Sequence, residues 1–153
     1  MDDRSQHQHS NRTPILAPIV GRVAAGNFTF AAEDPLGYIE VQDIKAPARE
    51  LFGLQVEGDS MQDADICDGD VVVVHRREHA NSGEIVIARV GDEATLKILR
   101  KRSGMVELHP ANRQYAPIIV RDPETFGILG KVIATYRRDD ARVSMNDDIP
   151  GAH

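Results

Sequence analysis

Tryptophan is absent from this 153-residue chain, aromatic residues make up only 5%, and cysteine occurs once, as Cys67. One cysteine excludes an internal disulfide and cannot by itself build a thiolate metal cluster, so stability has to come from an apolar core. Positive charge is also short: 18 Lys and Arg stand against 24 Asp and Glu, a formal net charge of −6. No global positive field is available to hold a polyphosphate backbone, which disfavours stand-alone nucleic-acid binding. No apolar run approaches the roughly 18 residues a membrane span needs, and the opening MDDRSQHQHSNR lacks the apolar stretch of a signal peptide. A soluble, cytoplasmic protein without membrane contact is the expectation. Hydrophobic residues reach 41%, and a single domain of this length buries about two-thirds of its unfolded surface.

Polarity and patterning divide the chain into three parts. Residues 1–13 are polar without apolar periodicity and read as a disordered leader; residues 14–138 form the folded domain; residues 139–153 read as a frayed polar tail. The segment PILAPIVGRVAAGNF, from Pro14, suits an extended arm with a flexible joint at Ala24, Ala25 and Gly26. After a loop-rich stretch through Pro47, strands are expected over 51–57, 71–75, 83–90, 94–99, 105–108, 116–120 and 128–136. Gly58-Asp59, Asp68-Gly69 and Gly91-Asp92 mark turns between them. Short strands with close turns and no long helical period imply an all-β, barrel-like domain.

Chemistry is suggested at few positions. In Thr95-Leu96-Lys97-Ile98-Leu99 a period of 2 puts Thr95, Lys97 and Leu99 on one face. The ordinary reading of Lys97 is a snorkelling edge-strand lysine; the functional one is a desolvated amine whose lowered pKa makes it a general base. Ser60, in Val56-Glu57-Gly58-Asp59-Ser60-Met61, follows a glycine that permits a sharp turn. A serine there is usually a turn or cap residue, but with a base in reach it becomes a nucleophile. His75-Arg76-Arg77-Glu78-His79 spells H-x-x-E-H, yet four valines lead into it, so a strand end rather than a zinc helix is expected. Cys67 reads as a buried packing residue, and Arg100-Lys101-Arg102 as a solvated loop open to a partner contact.

Four separated motifs then match one family together. V-G-R-V-A-A-G at 20–26, G-D-S-M at 58–61, I-C-D-G-D-V-V-V-V at 66–74 and A-T-L-K-I-L at 94–99 resemble the self-cleaving domain of LexA-type repressors and UmuD-like proteins. Ser60 stands 34 positions after Gly26 and 37 before Lys97, as that family has them, and V-E-L-H-P-A-N-R-Q-Y-A-P-I at 106–118 extends the match. The resemblance implies cleavage of the chain's own Ala25-Gly26 bond by Ser60, with Lys97 as base and the backbone N–H of Ser60 or Met61 holding the oxyanion. No cofactor and no metal is implied. It further implies a homodimer, and stimulation by a RecA filament on single-stranded DNA in response to DNA damage. The 19 residues before Val20 leave no room for a helix-turn-helix, so direct operator binding by this chain is not expected. A LexA-like regulatory domain is the main reading, a UmuD-like subunit of a translesion polymerase the alternative, and a non-catalytic β docking module the contrasting class.

Overall fold

The computed structural model describes residues 14–23 and 34–146, together with the backbone of Gly26 and Asn27. Along the described residues run β1 (Ile15–Val23), β2 (Gly26–Asn27), β3 (Gly37–Val41), β4 (Leu51–Val56), β5 (Val71–Arg76), β6 (Ile85–Val90), β7 (Glu93–Arg102), β8 (Met105–His109), β9 (Ile118–Val120), β10 (Phe126–Tyr136) and β11 (Val143–Met145). Their order in one mixed sheet is β11-β3-β1-β4-β5-β10-β6-β7-β8-β9. β1 pairs in parallel with β4, and β2 pairs antiparallel with β7. The first chain segment thus meets both ends of the run β4-β5-β10-β6-β7 and closes it into a barrel-like ring, the all-β architecture expected from short strands and close turns. No helix among the described residues is long and apolar enough to cross a membrane.

Two strands show why the ring holds. β5 is a run of valines buried on both sides: Val72 and Val74 enter one apolar cluster with Phe52, Leu54 and Ile87, while Val71 and Val73 enter a second with Ile19 and Ile39. Branched side chains suit such a doubly covered strand. β10 is the hinge between halves, pairing through its first residues with β6 and through its last with β5, with a register shift in each ladder. At Gly130 a Cβ would stand 2.8 Å from the His75 carbonyl oxygen, so only glycine lets β10 pass this close.

Several expectations change. The arm from Pro14 is an interior strand: β1 lies between β3 and β4, with Ala17, Ile19, Val20 and Val23 buried, because its small and branched residues alternate toward the core. Strand β3, inside the stretch read as loops, is too short and too flanked by turn residues to stand out. The tail read as frayed from Asp139 carries β11, which pairs with β3 and buries Met145. Arg100-Lys101-Arg102, read as a loop, is the paired end of β7, opposite Glu107, Val106 and Met105. The joint residues Ala24 and Ala25, and the leader 1–13, lie outside the described residues.

Candidate active site

Lys97 sits in the part of β7 where Ala94, Thr95 and Leu96 are also buried, and is itself 7% exposed. Its Nζ donates to Thr95 Oγ1 at 2.8 Å, to the Leu96 carbonyl at 3.1 Å and to Ser60 Oγ at 3.3 Å. All three acceptors are neutral. Burial therefore pushes the Lys97 pKa below the ordinary lysine value. Placing Thr95 and Lys97 on one face follows from strand periodicity; bringing Ser60 to that face required the closed sheet.

Ser60 follows the end of β4 in a turn built by two distant segments. Gly58 has φ +90°, a conformation that disfavours any side chain, and its N–H donates to Asp68 Oδ1 at 2.7 Å. On the same side Val56 N–H donates to the Asp70 carbonyl and Gly69 N–H to the Val56 carbonyl. Asp70 is buried; its Oδ2 accepts from Cys67 N–H at 2.8 Å and from Arg137 Nη1 at 2.5 Å, while Arg137 Nη2 reaches Asp65. Cys67 is half-buried rather than buried, and its backbone rather than its thiol makes this contact. From the other side, the loop 110–117 between β8 and β9 reaches Asp59 and Ser60 through Ala111, Asn112 and Tyr115. In the sequence these three residues stand only within the motif at 106–118, which carries no sign of their contacts; the Pro-x-Asn pattern at Pro110 to Asn112 after a strand is the local signal of a fixed turn.

A cavity of about 440 Å³ opens over this arrangement, with Ser60, Thr95 and Lys97 on one side and Val90, Tyr115 and Ile118 on the other. β2 lies along the same strand: Gly26 is opposite Ala94 and Asn27 opposite Glu93. Among the described residues, neither the Ser60 nor the Met61 N–H donates to an acceptor. His75 is elsewhere, on β5, with Nε2 2.8 Å from Glu50 Oε1, and His79 lies in the loop beyond. Among the described residues no group of three His, Cys, Asp or Glu is placed to hold a metal ion.

Known proteins resemble this chain over most of its length. A family model described as Peptidase S24-like matches residues 18–133. A LexA repressor of Acetivibrio thermocellus is 39% identical over 143 residues, covering 89% of this chain and 63% of the relative. The LexA repressor of Oleidesulfovibrio alaskensis is 41% identical over 134 residues, covering 87% and 65% respectively. LexA repressor 1 of Nocardia farcinica is 45% identical over 130 residues, covering 81% and 56%. This chain thus spans somewhat less than two-thirds of the length of these relatives.

Proposed function

The chain belongs to the Peptidase S24-like family, and from that premise we propose that it is a LexA-type regulatory serine peptidase domain that cuts its own Ala25-Gly26 bond with Ser60 and Lys97. The observation that carries this reading is the 3.3 Å approach of Lys97 Nζ to Ser60 Oγ in a buried setting of neutral acceptors. A neutral lysine has two N–H bonds. Thr95 Oγ1 and the Leu96 carbonyl take them, which leaves the nitrogen lone pair toward the Ser60 hydroxyl.

In the proposed reaction Lys97 Nζ takes the Ser60 proton while Oγ attacks the Ala25 carbonyl carbon. The oxygen that becomes negative is met by the Ser60 and Met61 N–H groups, whose freedom from other acceptors among the described residues supports the role. The Lys97 ammonium then protonates the Gly26 nitrogen as the peptide bond breaks. A water, deprotonated by Lys97, hydrolyses the Ser60 ester and restores the hydroxyl. Pairing of Gly26 with Ala94 supports this choice of bond, since it draws the joint along the strand that carries the base.

The name of the relatives, LexA repressor, supports a regulatory role; the response to DNA damage, the homodimer and the RecA filament on single-stranded DNA are part of the proposal, as the resemblance implies them, and a filament that favours the docked joint need supply no catalytic group. The test is incubation of the pure protein at alkaline pH, and at neutral pH with RecA filaments, followed by mass spectrometry. Fragments of 25 and 128 residues are expected, and Ser60→Ala, Lys97→Ala and the double variant should each abolish them equally. An intact wild-type chain under both conditions would return Ser60 and Lys97 to structural roles in a docking module.

A further inference from the structure

The Ser60 and Met61 N–H groups are each half of a rigid peptide plane, whose other half is the carbonyl of the preceding residue. Those carbonyls, of Asp59 and Ser60, are both held by the loop 110–117. Asn112 Nδ2 donates to the Asp59 carbonyl at 2.8 Å, and Ala111 N–H donates to the Ser60 carbonyl at 2.8 Å. Tyr115 adds a third grip, its hydroxyl donating to Asp59 Oδ1 at 2.5 Å. Fixing a carbonyl fixes the direction of the N–H across the plane.

We propose that Asn112 and Tyr115 are positioning residues that aim the Ser60 and Met61 amides, and with them Ser60 Oγ, into the cavity. The proposal rests on the Ser-Lys reading above and concerns how its oxyanion donors are oriented. The turn itself gives those amides little support. The short 3-10 turn that follows, Gln62–Ala64, has no side-chain cap at Met61, and Gln62 N–H meets the Asp59 carbonyl only at 3.2 Å. The loop, by contrast, is braced by bonds of its own. Asn112 Oδ1 accepts from Gln114 N–H at 2.9 Å and Tyr115 N–H donates to the Asn112 carbonyl at 3.1 Å. Tyr115 is 45% exposed and belongs to none of the three apolar clusters among the described residues. Core packing does not account for its position; the hydroxyl bond beside the nucleophile and its ring in the cavity wall do.

Two neutral substitutions separate positioning from folding. Tyr115→Phe keeps the ring and removes the hydroxyl. Asn112→Ser keeps an acceptor for the loop's own turn but is too short to reach the Asp59 carbonyl. Self-cleavage rates across pH, melting temperature and deuterium uptake over residues 58–64 would be measured for each. Each variant is expected to lower the high-pH plateau rate about tenfold, against the 10²–10³ typical of deleting an oxyanion donor outright. The midpoint of the pH rise, which belongs to Lys97, should stay in place, the melting temperature should change little, and uptake over 58–64 should quicken. Wild-type plateaus in both variants, a shifted midpoint, or a loss matched by a lower melting temperature would overturn the proposal. Should the wild type itself stay uncut, the peptidase reading falls, and unchanged uptake in both variants would overturn the grip of the loop on the turn as well.

Discussion

Lys97 has the surroundings of a group meant to be neutral: it is buried, bonded to two hydroxyls and a carbonyl, and depressed in pKa by desolvation. The consequence for stability has a definite sign. Below its folded pKa the lysine is protonated in both states and the folded state bears the cost of the buried ammonium. Between the lowered folded pKa and the ordinary value near 10.5 the unfolded chain binds more protons, so stability rises with pH across that window. Lys97→Met carries no such cost. Its melting temperature relative to wild type should therefore be highest at neutral pH, and the difference should move steadily in favour of wild type as pH approaches 10.5; thermal scans at several pH values check this, and a constant difference would mean that Lys97 is not desolvated. The same protonation governs the proposed cleavage. The rate should climb with pH to a plateau, with a midpoint below that of an ordinary lysine, while Lys97→Arg, charged at any usable pH, should stay uncut.

At the scale of the element, the serine turn is a product of chain segments that contribute no catalytic group. Gly58 adopts φ +90° at the exit of β4, and Asp68 ties its N–H to the turn that leads into β5. An alanine at Gly58 meets no neighbour, so its cost is conformational alone, about 1–2 kcal/mol for a side chain in left-handed backbone. Gly58→Ala should lower the unfolding free energy from urea titration by that amount, seen as a lower urea midpoint, and slow cleavage further than stability explains, since relaxing the strain rotates Asp59 and Ser60. Asp68→Ala should cost about 1 kcal/mol through the lost acceptor, with a smaller effect on rate. Equal urea midpoints for wild type and Gly58→Ala would show that the turn adjusts freely.

For the molecule as a whole, the least expected support is the C-terminal strand. β11 covers the outer side of β3: Met145 is buried, Asn146 donates to the carbonyls of Pro35 and Leu36, and the Arg142 carbonyl accepts from Glu40 N–H. At Gly37 a Cβ would meet the Met145 backbone at 2.8 Å, so the two strands fit only through glycine. Truncation after Arg138 removes all of this and uncovers Ile39. Loss of one buried methionine side chain alone costs about 2–5 kcal/mol, and at this chain length each kcal/mol lowers the melting temperature by roughly 2–4 °C. The truncated protein should remain folded by circular dichroism and melt about 10 °C lower; an unchanged melting point would mean that β3 and β1 need no cover.

Local pattern was enough for much of this protein. Alternation and turn residues located β4 to β10 and the all-β class, because period 2 and glycine turns act over a few residues. The motifs around Ser60 and Lys97 named the pair through resemblance, and strand periodicity alone placed Thr95 beside Lys97. What the sequence could not express was anything made by contacts distant along the chain. β1 looked like an arm because its partners, β3 and β4, lie on other segments, and β11 looked frayed because only the edge of β3 gives it a place. Asn112 and Tyr115 showed no role until the loop that bears them met Asp59, more than fifty residues earlier. The distance from Lys97 to Ser60, and the burial that depresses the lysine, arise only when the sheet closes, since desolvation belongs to the assembled surroundings and not to the residue.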